Sequence, residues 1–155
     1  MTLGIDLGGT NLCLGLVDNG KVVSMTSVPS FERSFTLEQT LEYLADQVSA
    51  VFTESVEKIG IGVPSVVDVN KGIVYDAANI PSWKEVHLKE FLEGRFGVPV
   101  YINNDGDLFA YGEALGGVLQ DVNALLEKAG NPKRYKNLVG LTLGTGFGGG
   151  VVLDG

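Results

Sequence analysis

Gly4-Ile5-Asp6-Leu7-Gly8-Gly9-Thr10-Asn11, near the amino terminus, is the stretch that decides how the rest of this chain reads. It runs from an apolar strand into a carboxylate, two glycines and a hydroxyl. Glycines let a backbone turn through positive φ and let it approach a ligand closely. Successive N–H groups in such a turn can point at phosphate oxygens. On this reading Gly8 and Gly9 shape a phosphate-binding turn, Thr10 donates a hydrogen bond, and Asp6 supports Mg²⁺ through water. Gly-Gly alone would suit an ordinary hairpin turn. The Asp-x-Gly-Gly-Thr combination favours the phosphate reading.

Outward from this stretch, Leu3 to Val28 reads as three strands, with Asp18-Asn19-Gly20 as a turn. The apolar run from Leu12 to Val17 suits burial on both faces. Thr36 to Val56 has helical spacing, with Leu37, Leu41, Leu44, Val48, Val51 and Phe52 on one face. Thr36 is its N-cap, and Gln39 completes a capping box. Lys58 to Val63 reads as a short buried strand ended by Pro64. Val66–Val69 and Gly72–Tyr75 suggest a hairpin around Asn70-Lys71. Leu88 to Phe96 is a helix stopped by Gly97 and Pro99. Val100 to Ile102 is a strand, Asp105 to Leu115 a helix, and Asp121 to Lys128 a further helix. Leu138–Leu143 and Val151–Leu153 form a final strand pair. The order implies an α/β fold with a mixed sheet flanked by helices.

A second glycine-rich stretch is Leu143-Gly144-Thr145-Gly146-Phe147-Gly148-Gly149-Gly150. It contains a G-x-G-x-x-G match, but the dinucleotide motif needs a helix after its glycines. Gly150-Val151-Val152-Leu153 reads as a strand, so a β-hairpin phosphate loop is the better expectation. Leu143-Gly144 to Asp154 also repeats the spacing of Leu7-Gly8 to Asp18. That faint repeat suggests two related lobes, with the second beginning at this hairpin rather than joining the first sheet. Chance similarity between glycine-rich hairpins would look the same.

Ile102-Asn103-Asn104-Asp105-Gly106-Asp107 lies between a strand and a helix, at a strand's carboxyl end, where α/β ligand sites gather. A carboxylate there can take a proton from a substrate hydroxyl attacking a γ-phosphate. Asp105 is the candidate base and Asn104 a candidate for a neighbouring hydroxyl. Either residue could instead only cap the helix, and Asp107 reads as a first-turn carboxylate. In Ala77-Ala78-Asn79-Ile80-Pro81-Ser82-Trp83, Asn79 and the indole can offer hydrogen bonds and a wall to a sugar. A loop merely anchored by Trp83 fits the same residues.

Composition narrows the classes. The chain has 155 residues, 45% hydrophobic and 19% charged, with a net charge of −8. That suits a globular domain, not a disordered chain. Lys133-Arg134 and Lys136 form a short basic run that reads as a solvated loop, so no nucleic-acid partner is expected. No apolar run approaches a membrane span, and Met1 leads into the first strand without a basic leader. With Cys13 as the single cysteine, these features suggest a cytoplasmic protein.

Taken together, these motifs resemble those of the ROK family (repressor, open reading frame, kinase) of sugar kinases, within the actin-like ATPase superfamily. Asp6-Leu7-Gly8-Gly9-Thr10 is similar to the family's first phosphate motif, and Gly144 to Gly150 to its second. Asn104-Asp105 resembles the catalytic Asn-Asp. Asn79-Ile80-Pro81-Ser82-Trp83 resembles the sugar-loop Asn-Leu-Pro-Gly-Trp, and Gly62-Val63-Pro64-Ser65 the Gly-Val-Pro-Gly turn beside the sugar. The resemblance implies a ribonuclease H-like, actin-like lobe over 1–118 and, over 119–155, a linker and the first hairpin of a second lobe. It implies transfer of the γ-phosphoryl group of MgATP to a hexose hydroxyl. Asp105 is then the base, with Ser65, Asn79 and Asn104 at the sugar. Gly8, Gly9, Thr10, Asn11, Gly144, Thr145 and Gly146 hold phosphates, and Asp6 supports Mg²⁺ indirectly.

Departures from the family pattern are Asn11 where many members carry Lys, Ser65 for Gly, and Gly106-Asp107 for Ala-Asn. The family's Glu-x-Gly-His motif, cysteine-rich zinc site and adenine pocket would lie beyond Gly155. The chain alone is therefore expected to phosphorylate sugar poorly. Neither His87 nor Cys13 is expected to replace those groups. Three alternatives share parts of the pattern: a non-catalytic sugar-binding module, a sugar-responsive ROK transcription regulator, and an actin-like cytoskeletal or chaperone ATPase. The regulators carry a winged helix-turn-helix, for which no room is expected before Thr2. The unpaired edge of the last hairpin is expected to permit pairing with a second copy.

Overall fold

The computed structural model describes residues 1–144 and 146–155. Compact packing divides them into two units, Met1–Asn104 and Asp105–Gly155.

The first unit is built on a five-stranded sheet. Its strands are β1 (Thr2–Leu7), β2 (Asn11–Asp18), β3 (Lys21–Pro29), β4 (Lys58–Val63) and, after the elements named below, β8 (Val100–Asn104), in the order β3-β2-β1-β4-β8. β1, β4 and β8 run parallel, while β2 and β3 are antiparallel hairpin strands on one side. Asn19 and Gly20 both take positive φ, as a tight two-residue turn between β2 and β3 requires. Strand periodicity separates the two faces. Leu3, Ile5 and Leu7 of β1, with Ile59 and Ile61 of β4 and Val100 and Ile102 of β8, are buried on one face. β2 follows the same alternation. Leu12 and Leu14 are buried while Cys13 and Gly15 are half-buried, so the expected burial on both faces does not occur.

Helix α1 (Leu37–Val51) covers the core side with Leu44, Ala45 and Val48. Its amino end forms from local chemistry alone. Thr36 Oγ1 accepts the Gln39 N–H at 3.2 Å, and Gln39 Oε1 accepts the Thr36 N–H at 2.9 Å. The helix stops at Val51, earlier than the expected Val56. Phe52 turns to extended backbone, and its ring packs on Phe96 at 5.1 Å. An apolar residue at helical spacing thus reaches the core from outside the helix.

β5 (Val66–Asp68), β6 (Ile73–Tyr75) and β7 (Glu85–Val86) make a small second sheet, followed by α2 (Leu88–Phe96). β7 was not visible in the sequence because two residues carry no periodic signal. α2 ends as expected, with Gly97 left-handed at φ 68°. Trp83, in the loop before β7, is 1% exposed. Its indole N–H donates to Thr40 Oγ1 at 2.7 Å, and that hydroxyl donates to the Leu37 carbonyl at 2.7 Å. Thr40 is a fully buried polar residue, and this pairing satisfies both polar side chains.

The second unit holds α3 (Asp105–Gly116), α4 (Val118–Lys128) and a two-stranded sheet of β9 (Leu138–Leu143) and β10 (Phe147–Val152). β10 starts at Phe147, so Gly148 to Gly150 lie in a strand and not in the loop the sequence suggested. Gly140 and Gly150 pair across the hairpin. A Cβ on Gly150 would lie 2.8 Å from the Gly106 carbonyl oxygen and 2.9 Å from Ala110 Cβ. These glycines let α3 lie directly on the hairpin, which explains why α3 groups with it. On the hairpin's other face Val139, Leu141, Leu143, Phe147 and Val151 are exposed. Among the described residues, no helix is long and apolar enough to cross a membrane.

The Thr40–Trp83 pair gives a stability test. Thr40→Val keeps the shape but leaves a buried indole N–H without its acceptor, and should lower unfolding free energy by about 1–3 kcal/mol. Thr40→Ser should retain most of it. Urea denaturation of both variants measures the difference.

Candidate functional site

Parallel, in-register pairing collects the carboxyl ends of β1, β4 and β8 at one edge of the sheet. Asp6 is opposite Gly62, and Gly62 is opposite Asn103. With strands about 4.8 Å apart, Asp6 and Asn103 belong to one row across three strands. The row alternates with the buried row of Ile5, Ile61 and Ile102, so it faces away from the core. Asp6 is exposed and Asn103 half-buried there.

Directly beyond β1, Gly8 to Asn11 form a tight turn. The Gly8 N–H donates to the Asn11 carbonyl at 2.9 Å. A Cβ on Gly8 would lie 2.8 Å from that oxygen, so only glycine fits. The expected positive φ is absent at Gly8 and Gly9. What these glycines supply is room. Two further bonds hold the turn from the side. Ser30, just after β3, donates its hydroxyl to the Gly8 carbonyl at 2.8 Å and its N–H to the Thr10 carbonyl at 2.8 Å. Sequence reasoning missed Ser30. The one available signal was that β3 returns antiparallel to β2, so its last residue lies beside the turn that opens β2.

Asn79 stands against the same turn. A Cβ on Gly9 would be 3.1 Å from Asn79 Nδ2 and 3.4 Å from its Cγ. Asn79 is exposed at the tip of a loop closed by its own backbone. Ile80 N–H bonds to the Ala77 carbonyl at 3.0 Å, Trp83 N–H to the Ile80 carbonyl at 2.8 Å, and Ala77 N–H to the Trp83 carbonyl at 3.0 Å. Trp83 is the buried anchor of this loop, and its N–H is used by Thr40, so the indole does not serve as an open wall.

Ser65 and Asn104 meet at the ends of β4 and β8. Asn104 Nδ2 donates to the Ser65 carbonyl at 3.2 Å. The Ser65 hydroxyl donates to the Tyr75 carbonyl and ties the β4 end to β6. The half-buried Asn104 is thereby oriented by the turn that follows β4.

In the second unit, Asp105 is the first residue of α3 and half-buried, and its Oδ1 accepts the Gly106 N–H at 2.8 Å. A carboxylate at a helix amino end is favoured by the aligned peptide dipoles. α3's first turn rests on β10, because a Cβ on Gly150 would also lie 2.9 Å from Asp107 Cα. Gly144 and Gly146 close the hairpin, with the Gly144 N–H bonded to the Gly146 carbonyl at 3.0 Å, and both face open space. Thr145 lies outside the described residues. His87 is an exposed residue at the start of α2, paired with Glu85, and Cys13 bonds weakly to Ser27 at 3.4 Å. Among the described residues no three His, Cys, Asp or Glu side chains cluster to hold a metal.

The ROK family profile matches residues 2–155. The chain belongs to the ROK family. It is 34% identical over 155 residues to a glucokinase from Streptomyces coelicolor, covering 99% of this chain and 44% of that protein. Among solved structures it is similar to a glucokinase from Parabacteroides distasonis, at 44% identity and a TM-score of 0.80, over 99% of this chain and 44% of that one. It is also similar to a ROK family glucokinase from Streptomyces griseus in complex with glucose and AMPPNP, at 32% identity and a TM-score of 0.78, again over 99% and 44%. The chain thus spans less than half the length of these relatives. The sequence expectation of an actin-like α/β lobe with a mixed sheet holds.

Gly150→Ala places a methyl group against α3 backbone. It should destabilise the second unit by about 1–3 kcal/mol through overpacking and loosen the seat of Asp105. Thermal melts with fluorescence and circular dichroism check this. An unchanged melt would refute the close approach.

Proposed function

We propose that the full-length gene product is an ATP-dependent sugar kinase that phosphorylates a hexose hydroxyl. The observation that carries this reading is the place of Asn79 beside Gly9, where a Cβ would come within 3.1 Å of Asn79 Nδ2, so that the residue proposed for the sugar stands next to the turn proposed for the phosphates. Membership of the ROK family and likeness to glucokinases support it.

In the proposed reaction Asp105 accepts the proton of the attacking sugar hydroxyl. The sugar oxygen forms a bond to the γ-phosphorus, the bond from that phosphorus to the bridging oxygen breaks, and ADP leaves with the electron pair. Asn79, Asn104 and Ser65 position the sugar, so the nucleophile is held close to the phosphoryl group before it reacts. Gly8, Gly9, Thr10 and Asn11, with Gly144, Thr145 and Gly146, hold the phosphates through backbone N–H groups and hydroxyls. Asn11 offers no positive charge, so these dipoles carry more of the task.

The donor set suits Mg²⁺ that arrives with the nucleotide. A carboxylate at the end of β1, beside the proposed phosphate turn, would suit an ion that keeps most of its waters and phosphate ligands. When bound, Mg²⁺ neutralises phosphate charge, and Asp6 orients its water shell. Glucose is the first sugar to offer, because the three relatives described above are glucokinases. The acidic chain and the neutral character of the sugar residues favour an uncharged sugar over a nucleic-acid partner.

Coupled measurement of ADP release, with and without each sugar of a panel, tests the reading. Wild type should consume ATP only with a hexose present. Asp105→Ala should lower kcat on the order of 10²-fold or more with sugar binding largely kept. A variant within about threefold of wild type would remove Asp105 from the role of base.

A further inference from the structure

We propose that Ser30 is a positioning residue for nucleotide binding: it sets the peptide planes of the Gly8–Asn11 turn. The inference rests on reading Gly8–Asn11 as a phosphate turn.

Peptide units are planar and trans, so a carbonyl and the N–H that follows it point in opposite directions. Among the described residues no cis peptide bond is present. Ser30 holds two carbonyls, those of Gly8 and Thr10, each at 2.8 Å. The next N–H groups, of Gly9 and Asn11, are therefore turned away from Ser30. Hydrogen bonding at a carbonyl also polarises the N–H of the same peptide unit and strengthens it as a donor. Residues with little side-chain bulk, such as Gly8 and Gly9, need this outside restraint, because their own backbones permit many other orientations.

Ser30 is itself braced on both sides. The preceding Pro29 carbonyl accepts the Tyr43 hydroxyl at 2.8 Å. The following Phe31 ring packs on Tyr43 at 5.9 Å and on Trp83 at 5.6 Å between centroids. Trp83 anchors the loop that carries Asn79, and Asn79 in turn stands against Gly9. A closed circuit runs from the turn to Ser30, through Phe31 to Trp83, and back through Asn79 to the turn. The hydroxyl of Ser30 touches the turn's backbone directly, and it is half-buried, outside the hydrophobic core, so it can be removed without disturbing the core.

The test compares Ser30→Ala and Ser30→Thr with wild type in the full-length gene product. Steady-state kinetics are measured for ATP and for the sugar, and calorimetry measures binding of Mg·AMPPNP. Loss of the hydroxyl should raise the KM for ATP and the Kd for AMPPNP by about tenfold, as expected when a partly buried carbonyl loses its donor. The KM for sugar should change less than about twofold, since the Asn79 loop keeps its own bonds. Ser30→Thr should restore the nucleotide values.

Unchanged ATP and AMPPNP constants in Ser30→Ala would overturn the proposal while leaving the kinase reading intact. So would equal losses for ATP and sugar with a lowered melting temperature, because that is the signature of general destabilisation. If wild type shows no sugar-dependent ATP use, the kinase reading fails. The AMPPNP titration then decides Ser30 separately, and absence of nucleotide binding by wild type would overturn both.

Discussion

The in-register parallel pairing of β1 with β4 and of β4 with β8 is the constraint on which the first unit depends. It does two things at once. Rows such as Ile5, Ile61 and Ile102 become continuous apolar surface for α1 and α2 to cover. The alternate row of Asp6, Gly62 and Asn103 is forced to the opposite face at the strands' carboxyl ends. A slip of one residue would exchange the faces: in β1 it would bury Asp6 and expose Ile5, and in β8 it would bury Asn103 and expose Ile102. Burial of the isoleucine row, at roughly 1.5–3 kcal/mol per side chain, therefore also fixes where the polar groups stand. Core formation and site placement are one event.

The two glycine-rich stretches solve different physical problems, although they look alike in sequence. Gly8 is required because the turn brings the Asn11 carbonyl within 2.8 Å of where a Cβ would be. Gly140 and Gly150 are required because a helix lies on them. Gly144 and Gly146 face open space, so no steric demand explains them. The last pair are thus the glycines whose presence the fold itself leaves unexplained, and the proposed phosphate role falls on them. Glycine density by itself could not have separated these cases, because the neighbour is local for Gly8, at Asn11, and lies on α3, far along the chain, for Gly140 and Gly150.

Local chemistry was legible in the sequence, and tertiary support was not. The Thr36–Gln39 capping box, the Asn19-Gly20 turn and the Gly97 stop follow from residues within a few positions of one another, and each was readable. The end of α1 was misjudged because Phe52 packs on Phe96, which continues the apolar spacing after the backbone has left the helix. β7 was invisible at two residues. In the candidate site, Asp6, Gly8, Gly9, Asn79, Asn104 and Asp105 were named from motif chemistry, whereas Ser30 was not. Its role comes from β3 returning beside β2, and a serine after a proline carries no such signal. Trp83 was ambiguous between wall and anchor until Thr40, on α1, was seen to take its N–H.

The proposed chemistry requires Gly8–Asn11 to be a nucleotide-phosphate turn held beside the Asn79 loop. Hydrogen exchange resolved over residues 5–12 and 76–83 tests it most directly, in the full-length gene product with and without Mg·AMPPNP and glucose. AMPPNP should slow exchange in the first segment, and glucose should slow it in the second. Unchanged exchange across residues 5–12, with nucleotide binding verified by calorimetry in the same sample, would contradict it.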